Sequence, residues 1–298
     1  MSAENAGERL AEFLAQGRVT LLTGAGVSTD SGIPDYRGPE TARRARNPVR
    51  FQQFVTDSEW RQRYWSRSYL GWPNIRDKIP NACHHALQQL DQQGRVQGLI
   101  TQNVDRLHAK AGHGGIELHG ALAEVTCLSC GSLRPREQVQ EQLRALNPDF
   151  QAKVLEWAPD GDAELPTQAT AGFRVVSCTC GGHLKPHVVF FGESVPRDKV
   201  EQAYGWVEQS QGLLVVGSSL TVFSGFRFVK RAQACGIPVA ILTLGKTRGD
   251  PLAALKLEAP AGPALAQAVQ LLAGSGPRGD SESGAPESPP SPGANPGR

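Results

Sequence analysis

Two stretches of this sequence carry residue types that do chemistry at spacings that packing alone does not explain. The first is GAGVSTDSGIPDYRG, residues 24–38, which follows a short apolar run. Gly24 and Gly26 would let backbone N–H groups approach a phosphate, and a helix starting at residues 28–32 would add the positive end of its dipole. The next glycine is Gly32, so the spacing departs from G-x-G-x-x-G, and an ordinary strand–turn–helix corner competes evenly with nucleotide binding. Pro34 cannot prolong a helix cleanly, which leaves Asp35, Tyr36 and Arg37 on a loop beside the phosphate site. The second stretch is split: Cys127-Leu-Ser-Cys130 and Cys178-Thr-Cys180, flanked by Gly131 and by Gly181-Gly182. Two close thiol pairs suit a closed, four-thiolate structural zinc site. The C-x-C pair departs from the usual C-x-x-C, and a redox couple or two unrelated thiol pairs are the competing readings. Cys83 and Cys235 read as ordinary buried thiols.

Three further segments could contribute side chains. TQNVDRLH (residues 101–108) brings Gln102, Asn103 and Asp105 together, three groups able to recognise amides or ribose hydroxyls. ELHG places His119 before a glycine that permits close approach, although His84, His85, His108, His113, His183 and His187 compete on residue type alone. LLVVGSSLTV (213–222) carries Gly217, Ser218 and Ser219, small groups suited to phosphate or ribose contacts. HVVFFGE (187–193) reads as an apolar edge segment with a turn, a platform for an added strand.

The elements that must hold these residues follow from four apolar runs: 19–23 (VTLLT), 98–101 (GLIT), 213–217 (LLVVG) and 239–243 (VAILT). They are continuous rather than alternating, as strands buried on both faces of a parallel sheet should be. Helix-like stretches separate them, such as the one capped by Asn81 and stopped by Gly94. The expected fold is α/β, a Rossmann-like doubly wound parallel sheet, with ligands at the carboxyl ends of its strands. Residues 39–80 and 123–185 break the alternation and read as insertions forming a smaller zinc-ribbon and helical domain. The larger part then spans about 8–38, 81–122 and 186–273. Residues 274–298, GSGPRGDSESGAPESPPSPGANPGR, bury too little apolar surface to offset their ordering entropy and read as a disordered tail.

Bulk properties narrow the function classes. With 31 basic and 29 acidic residues among 298, the net charge of +2 recruits neither nucleic acid nor a membrane surface. No stretch approaches the ~20 apolar residues of a membrane span, and the acidic start lacks a leader's apolar core. A cytoplasmic, monomeric protein is the default expectation.

Taken in order, GAGVSTDSGIPDYRG, TQNVDRLH, ELHG, the two cysteine pairs, HLKPHVVFFGE and VVGSSLTV closely resemble the sirtuins, NAD-dependent protein lysine deacylases. STDSGIPDYR, RQRYWSR, GWP and APDGD are most similar to the class II branch. The resemblance covers residues 18–257 and implies NAD as cofactor, one structural Zn²⁺ and acylated protein lysines as substrates. It implies that Ala25 and the backbone of Gly24 and Gly26 meet the pyrophosphate, with Asp35, Tyr36 and Arg37 in the lid over the reactive ribose. Gln102 would contact the nicotinamide ribose, while Ile33, Asn103 and Asp105 shape the nicotinamide pocket. Gly217, Ser218 and Ser219 would contact phosphate and ribose, and Thr243, Leu244 and Gly245 the adenosine ribose, where the family often has Asn in place of Thr243. His119 takes the role of general base, with Asn103 beside it in the reaction. The substrate would be clamped by 189–193 (through Val189, Phe190, Gly192 and Glu193) and by 220–222 (through Val222).

The resemblance implies four thiolate ligands, Cys127, Cys130, Cys178 and Cys180. Aligning Cys180 with the last of them puts Ser177 where the other cysteine belongs, so Cys178 is the departure. Tyr64 and Arg67 match the Tyr-x-x-Arg pattern of acid-selective sirtuins, which would favour acidic or long acyl groups over acetyl. A surface arginine on an amphipathic helix is the competing reading. Mono-ADP-ribosyl transfer through the same site, or a non-catalytic NAD-binding zinc scaffold, remain the alternative functions.

Overall fold

A computed structural model describes residues 3–36, 48–158 and 161–274. Arg37 and the tail at 275–298 lie outside the described residues.

The four apolar runs are strands: β1 (Val19–Thr23), β2 (Val96–Thr101), β9 (Gly212–Val216) and β10 (Val239–Leu242). Short strands β3 (Ile116–Glu117) and β11 (Leu255–Leu257) complete a six-stranded sheet of order β11-β10-β9-β1-β2-β3. Every pairing in it is parallel. All residues of β1, β9 and β10 are buried, because helices cover both faces. On one face lie α1 (Ala3–Ala15), α4 (Ala82–Gln92) and α9 (Ala261–Gly274), whose leucines and alanines share a core with β1 and β9. On the other face α7 (Arg197–Glu208) and α8 (Phe223–Ala234) supply Val200, Ala203, Phe228 and Val229. Asn81 caps α4, accepting from the amides of Cys83 and His84, and Gly94 ends that turn at φ +69°.

From β1 the chain winds outward through β2 and β3, then returns to the far side of β1 and winds outward again through β9, β10 and β11. The strand order therefore reverses between β1 and β9, and a crevice opens beyond the carboxyl ends of these two strands.

The interrupted segments fold beside this sheet. Strands β4 (Gly120–Cys127), β5 (Leu133–Pro135) and β8 (Leu184–Val188) form an antiparallel sheet of order β5-β4-β8, so the 187–193 segment does leave a sheet edge. Around it run α2 (Phe51–Thr56), α3 (Ser58–Arg76) and α6 (Arg136–Leu146). A hairpin of β6 (Glu156–Trp157) and β7 (Ala163–Glu164) packs on α3. Phe54, Tyr64 and Trp65 share one apolar cluster with Val125, Leu143, Phe173 and Leu184, uniting the two inserted segments. GWP and APDGD meet here: a side-chain carbon at Gly71 would collide with the carbonyl of Gly161.

Two expectations need correction. Residues 28–32 do not begin a helix. They form single 3₁₀ turns at Ala25–Val27 and Thr29–Ser31, because Gly32 turns left-handed at φ +75° and Pro34 follows. No helix dipole of useful length is aimed from this loop. Cys235 is exposed at the end of α8, whereas Cys83 is buried and its thiol is pushed up to about 12 by that burial.

Candidate active site

The crevice at the strand reversal is a cleft of about 880 Å³. After β1 comes the Gly24–Gly26 turn, and after β9 the turn of Gly217, Ser218 and Ser219; each leaves its strand where the sheet ends. A side-chain carbon at Gly24 would lie 2.7 Å from the Ser218 Cβ, and one at Gly26 would lie 2.9 Å from the Gly217 Cα. These glycines are thus demanded by the contact between the two turns. Their amides are spent on it too: Gly24 donates to the Val216 carbonyl and Gly26 to the Gly217 carbonyl. Neither amide is therefore free for the phosphate contact expected of it. Leu220 holds φ +56°, a strained geometry for a leucine, fixed by its buried side chain and by its amide donating to Ser218 Oγ.

The turn after β2 supplies the polar wall. Gln102 Nε2 donates to Ser218 Oγ (2.8 Å) and to the Thr23 carbonyl (3.2 Å), tying all three strand ends together. Asn103 Nδ2 donates to Ser28 Oγ (3.1 Å), and Ser28 donates onward to Asp105 Oδ2 (2.7 Å). Burial raises the Asp105 carboxyl above the ordinary range, opposed by the Leu107 amide and the Ser28 hydroxyl. Ser28, 1% exposed and on the cleft wall, was not singled out in sequence. Its partners lie some 75 residues away, a relation that spacing does not carry.

His119 stands at the junction of the two sheets. Its Nδ1 lies 2.9 Å from the Gln102 carbonyl and its Nε2 lies 2.8 Å from Ser224 Oγ. Burial holds the imidazole below its ordinary value; the Gln102 carbonyl opposes this, and Arg227 and Lys199 add positive charge that lowers it further. The imidazole is therefore neutral at neutral pH. Gly120 takes φ +77°, and a side-chain carbon there would strike the His187 carbonyl, so this glycine does permit the approach expected of it. His84, His108 and His113 meet edge to face and are not on the cleft wall.

Among the residues singled out in sequence, Ala25, Ile33, Asp35, Tyr36, Ser219, Thr243, Leu244 and Gly245 also line the cleft. So do Tyr64, Val189, Phe190, Gly192, Glu193 and Val222. The 189–193 segment is less open to an added strand than its sequence suggests. The Val189 amide donates to the His119 carbonyl, and the Phe190 amide donates to Glu193, whose carboxylate also pairs with buried Lys185 at 3.0 Å.

Arg67 is the residue that does not reach the cleft wall. It is 3% exposed, pairs with Glu164 at 2.5 Å and lies 3.6 Å from Asp162; Asp162 and Tyr64, by contrast, do line the cleft. Among the described residues its Nε and Nη1 have no hydrogen-bond partner.

The four cysteine sulfurs fall within 4.8 Å of one another, Cys178 included, with Cys127–Cys180 at 3.5 Å and Cys130–Cys178 at 3.8 Å. Tetrahedral zinc with Zn–S bonds of about 2.3 Å needs sulfurs ~3.8 Å apart, so the set fits one zinc ion and leaves no open position for catalysis. Despite the C-x-C spacing Cys178 reaches the cluster, while Ser177 bridges to His183.

A model of the Sir2 family matches residues 24–224. The "NAD-dependent protein deacetylase 1" of Mycobacterium avium (strain 104) is 52% identical over 256 residues, covering 84% of this chain and 89% of that protein. The "NAD-dependent protein deacylase Sirt4" of Drosophila melanogaster is 48% identical over 261 residues, covering 86% of this chain and 84% of that one. Among solved structures, "Sir2-p53 peptide-NAD+" superposes with a TM-score of 0.72 at 29% identity, covering 90% of this chain and 98% of that one. "Structure of Sir2Tm bound to a propionylated peptide" gives 0.68 at 26%, covering 89% and 98%.

Proposed function

The chain belongs to the Sir2 family, and from that premise we propose that it is an NAD-dependent protein lysine deacylase, moving an acyl group from lysine to ADP-ribose with release of nicotinamide. The observation that carries the reading is His119: a neutral imidazole on the cleft wall, beside the Gln102–Asn103–Asp105 turn at the strand reversal.

The cleft fits the cofactor by its volume, within the ~300–1,000 Å³ of small-molecule sites, and by its place at the strand reversal of a parallel sheet. Bound there, NAD would supply an electrophilic ribose carbon for the acyl oxygen of the substrate, with nicotinamide as leaving group. His119 then accepts a ribose hydroxyl proton at Nε2, which its depressed basicity leaves free to do at neutral pH. Asn103 and Asp105, joined through Ser28, are held for the nicotinamide end, and Ser218, Ser219 and Thr243 face the phosphate and ribose positions. The zinc site braces the three-stranded sheet, whose β4 begins directly after His119. The exposed Phe191, Val222 and Phe223 at the cleft rim suit a peptide substrate.

For the acyl group we propose a preference for acidic or long chains over acetyl. Val104, Leu122, Tyr64 and Asp162 line the cleft besides the residues of the strand ends, so its wall extends onto the inserted segments. Of the two, the long chain is favoured. Arg67 pairs through Nη2 with Glu164 and lies beside Asp162, so an acidic acyl group meets a guanidinium that two carboxylates already neutralise.

The test is an acyl-lysine peptide panel (acetyl, succinyl, glutaryl, a branched acidic acyl, lipoyl and biotinyl) incubated with NAD and read by mass spectrometry. Free lysine and O-acyl-ADP-ribose from a long-chain or acidic peptide in excess of acetyl is the expected result. ADP-ribose left covalently on protein, without free lysine, overturns it in favour of ADP-ribosyl transfer.

A further inference from the structure

Helix α8 begins beside the base. Its N-cap, Val222, offers no side-chain oxygen, and Phe223 extends into solvent at the cleft rim. The next residue, Ser224, directs its hydroxyl to His119 Nε2 at 2.8 Å instead of to any backbone group of its own helix. The other ring nitrogen, Nδ1, faces the Gln102 carbonyl at 2.9 Å. A carbonyl oxygen can only accept, so Nδ1 carries the proton of the neutral ring, Nε2 is bare, and the Ser224 hydroxyl must be the donor. The imidazole is therefore clamped at both nitrogens, by the turn after β2 and by the start of α8.

Gly225 shows that this closeness is structural. A side-chain carbon there would collide with the Gln102 carboxamide. The Ser224-Gly225 pair thus brings α8 against Gln102 and His119 together, and Ser224 remains on the cleft wall where a ligand can reach it.

We propose that Ser224 is a positioning residue for His119: its hydroxyl aims the Nε2 lone pair into the cleft and holds that place until a ribose hydroxyl exchanges for it. One O–H···N bond replaces another, so the ring neither turns nor stands unbonded as the substrate arrives. In the step that follows, the ribose proton passes to Nε2, the bonding pair stays on the ribose oxygen, and the second N–H of the resulting imidazolium stays on the Gln102 carbonyl. This rests on the deacylase reading, and the experiment separates the two. On that reading nicotinamide release precedes the proton transfer and does not use His119, whereas O-acyl-ADP-ribose formation does.

The experiment measures exchange of labelled nicotinamide into NAD, with an acyl-lysine peptide present, and product formation side by side. Ser224→Ala should lower product formation about tenfold while exchange stays within about twofold of wild type, as for a weaker version of His119→Ala. Ser224→Thr, which keeps the hydroxyl, should restore most of the loss. Exchange and product formation falling together, or neither moving, or Thr failing as badly as Ala, overturns the assignment. A wild-type protein that neither exchanges nicotinamide nor deacylates overturns the deacylase reading itself, and with it this inference.

Discussion

An imidazole acts as a base only when neutral, and burial holds His119 below its ordinary value of 6.5, with Arg227 and Lys199 adding to the depression. A group with a lowered pKa is deprotonated over more of the pH range, so activity should be full at pH 7. It should fall only as pH drops through a midpoint below 6.5. Arg227→Gln removes a positive charge facing the ring, so the acid limb of the kcat profile should move to higher pH; movement the other way contradicts the electrostatic account. Gly120→Ala forces an alanine into a left-handed conformation against the His187 carbonyl and should cost about 2 kcal/mol or more in urea unfolding. His119 was legible from ELHG only with its neighbours in the sequence, because six other histidines carry the same chemistry. Ser28, Ser224 and Arg227 were not legible: each meets its partner through space, from a turn or helix start whose local sequence says nothing of the partner.

At the scale of elements, the four strands could be read because a continuous apolar run has one buried solution in a parallel sheet. The 3₁₀ turns after β1 could not, since Gly32 and Pro34 decide by geometry whether one turn grows into a helix. The zinc knuckle is the clearest case of spacing misleading. C-x-C looked one residue short, yet Cys178 stands in the cluster with the other three thiols. Cys178→Ser should therefore abolish stoichiometric zinc by metal analysis, while Ser177→Ala should leave it intact. The Arg67 pairing belongs to this scale too, because it locks α3 to the β6–β7 hairpin. Arg67→Met removes a buried cation from between two carboxylates and should destabilise the protein by about 3 kcal/mol. Glu164→Gln is then the cleaner probe of acyl preference: it frees the guanidinium, and succinyl turnover should rise relative to lipoyl.

The whole molecule sets a cleft where two differently built sheets meet. The parallel sheet brings the turns after β1, β2 and β9 together at its reversal point, and the antiparallel sheet brings β4 and the 189–193 segment to the same place from the inserted side. His119 lies at the chain's passage from one to the other, which is why its position depends on both. The measurement that tests this most directly is the acyl-lysine panel with NAD, run on the wild type and on His119→Ala. The account predicts free lysine and O-acyl-ADP-ribose from the wild type, lost by about a hundredfold or more in the variant. Equal product from the two proteins would contradict it, since His119 would then not be the base around which the cleft is organised.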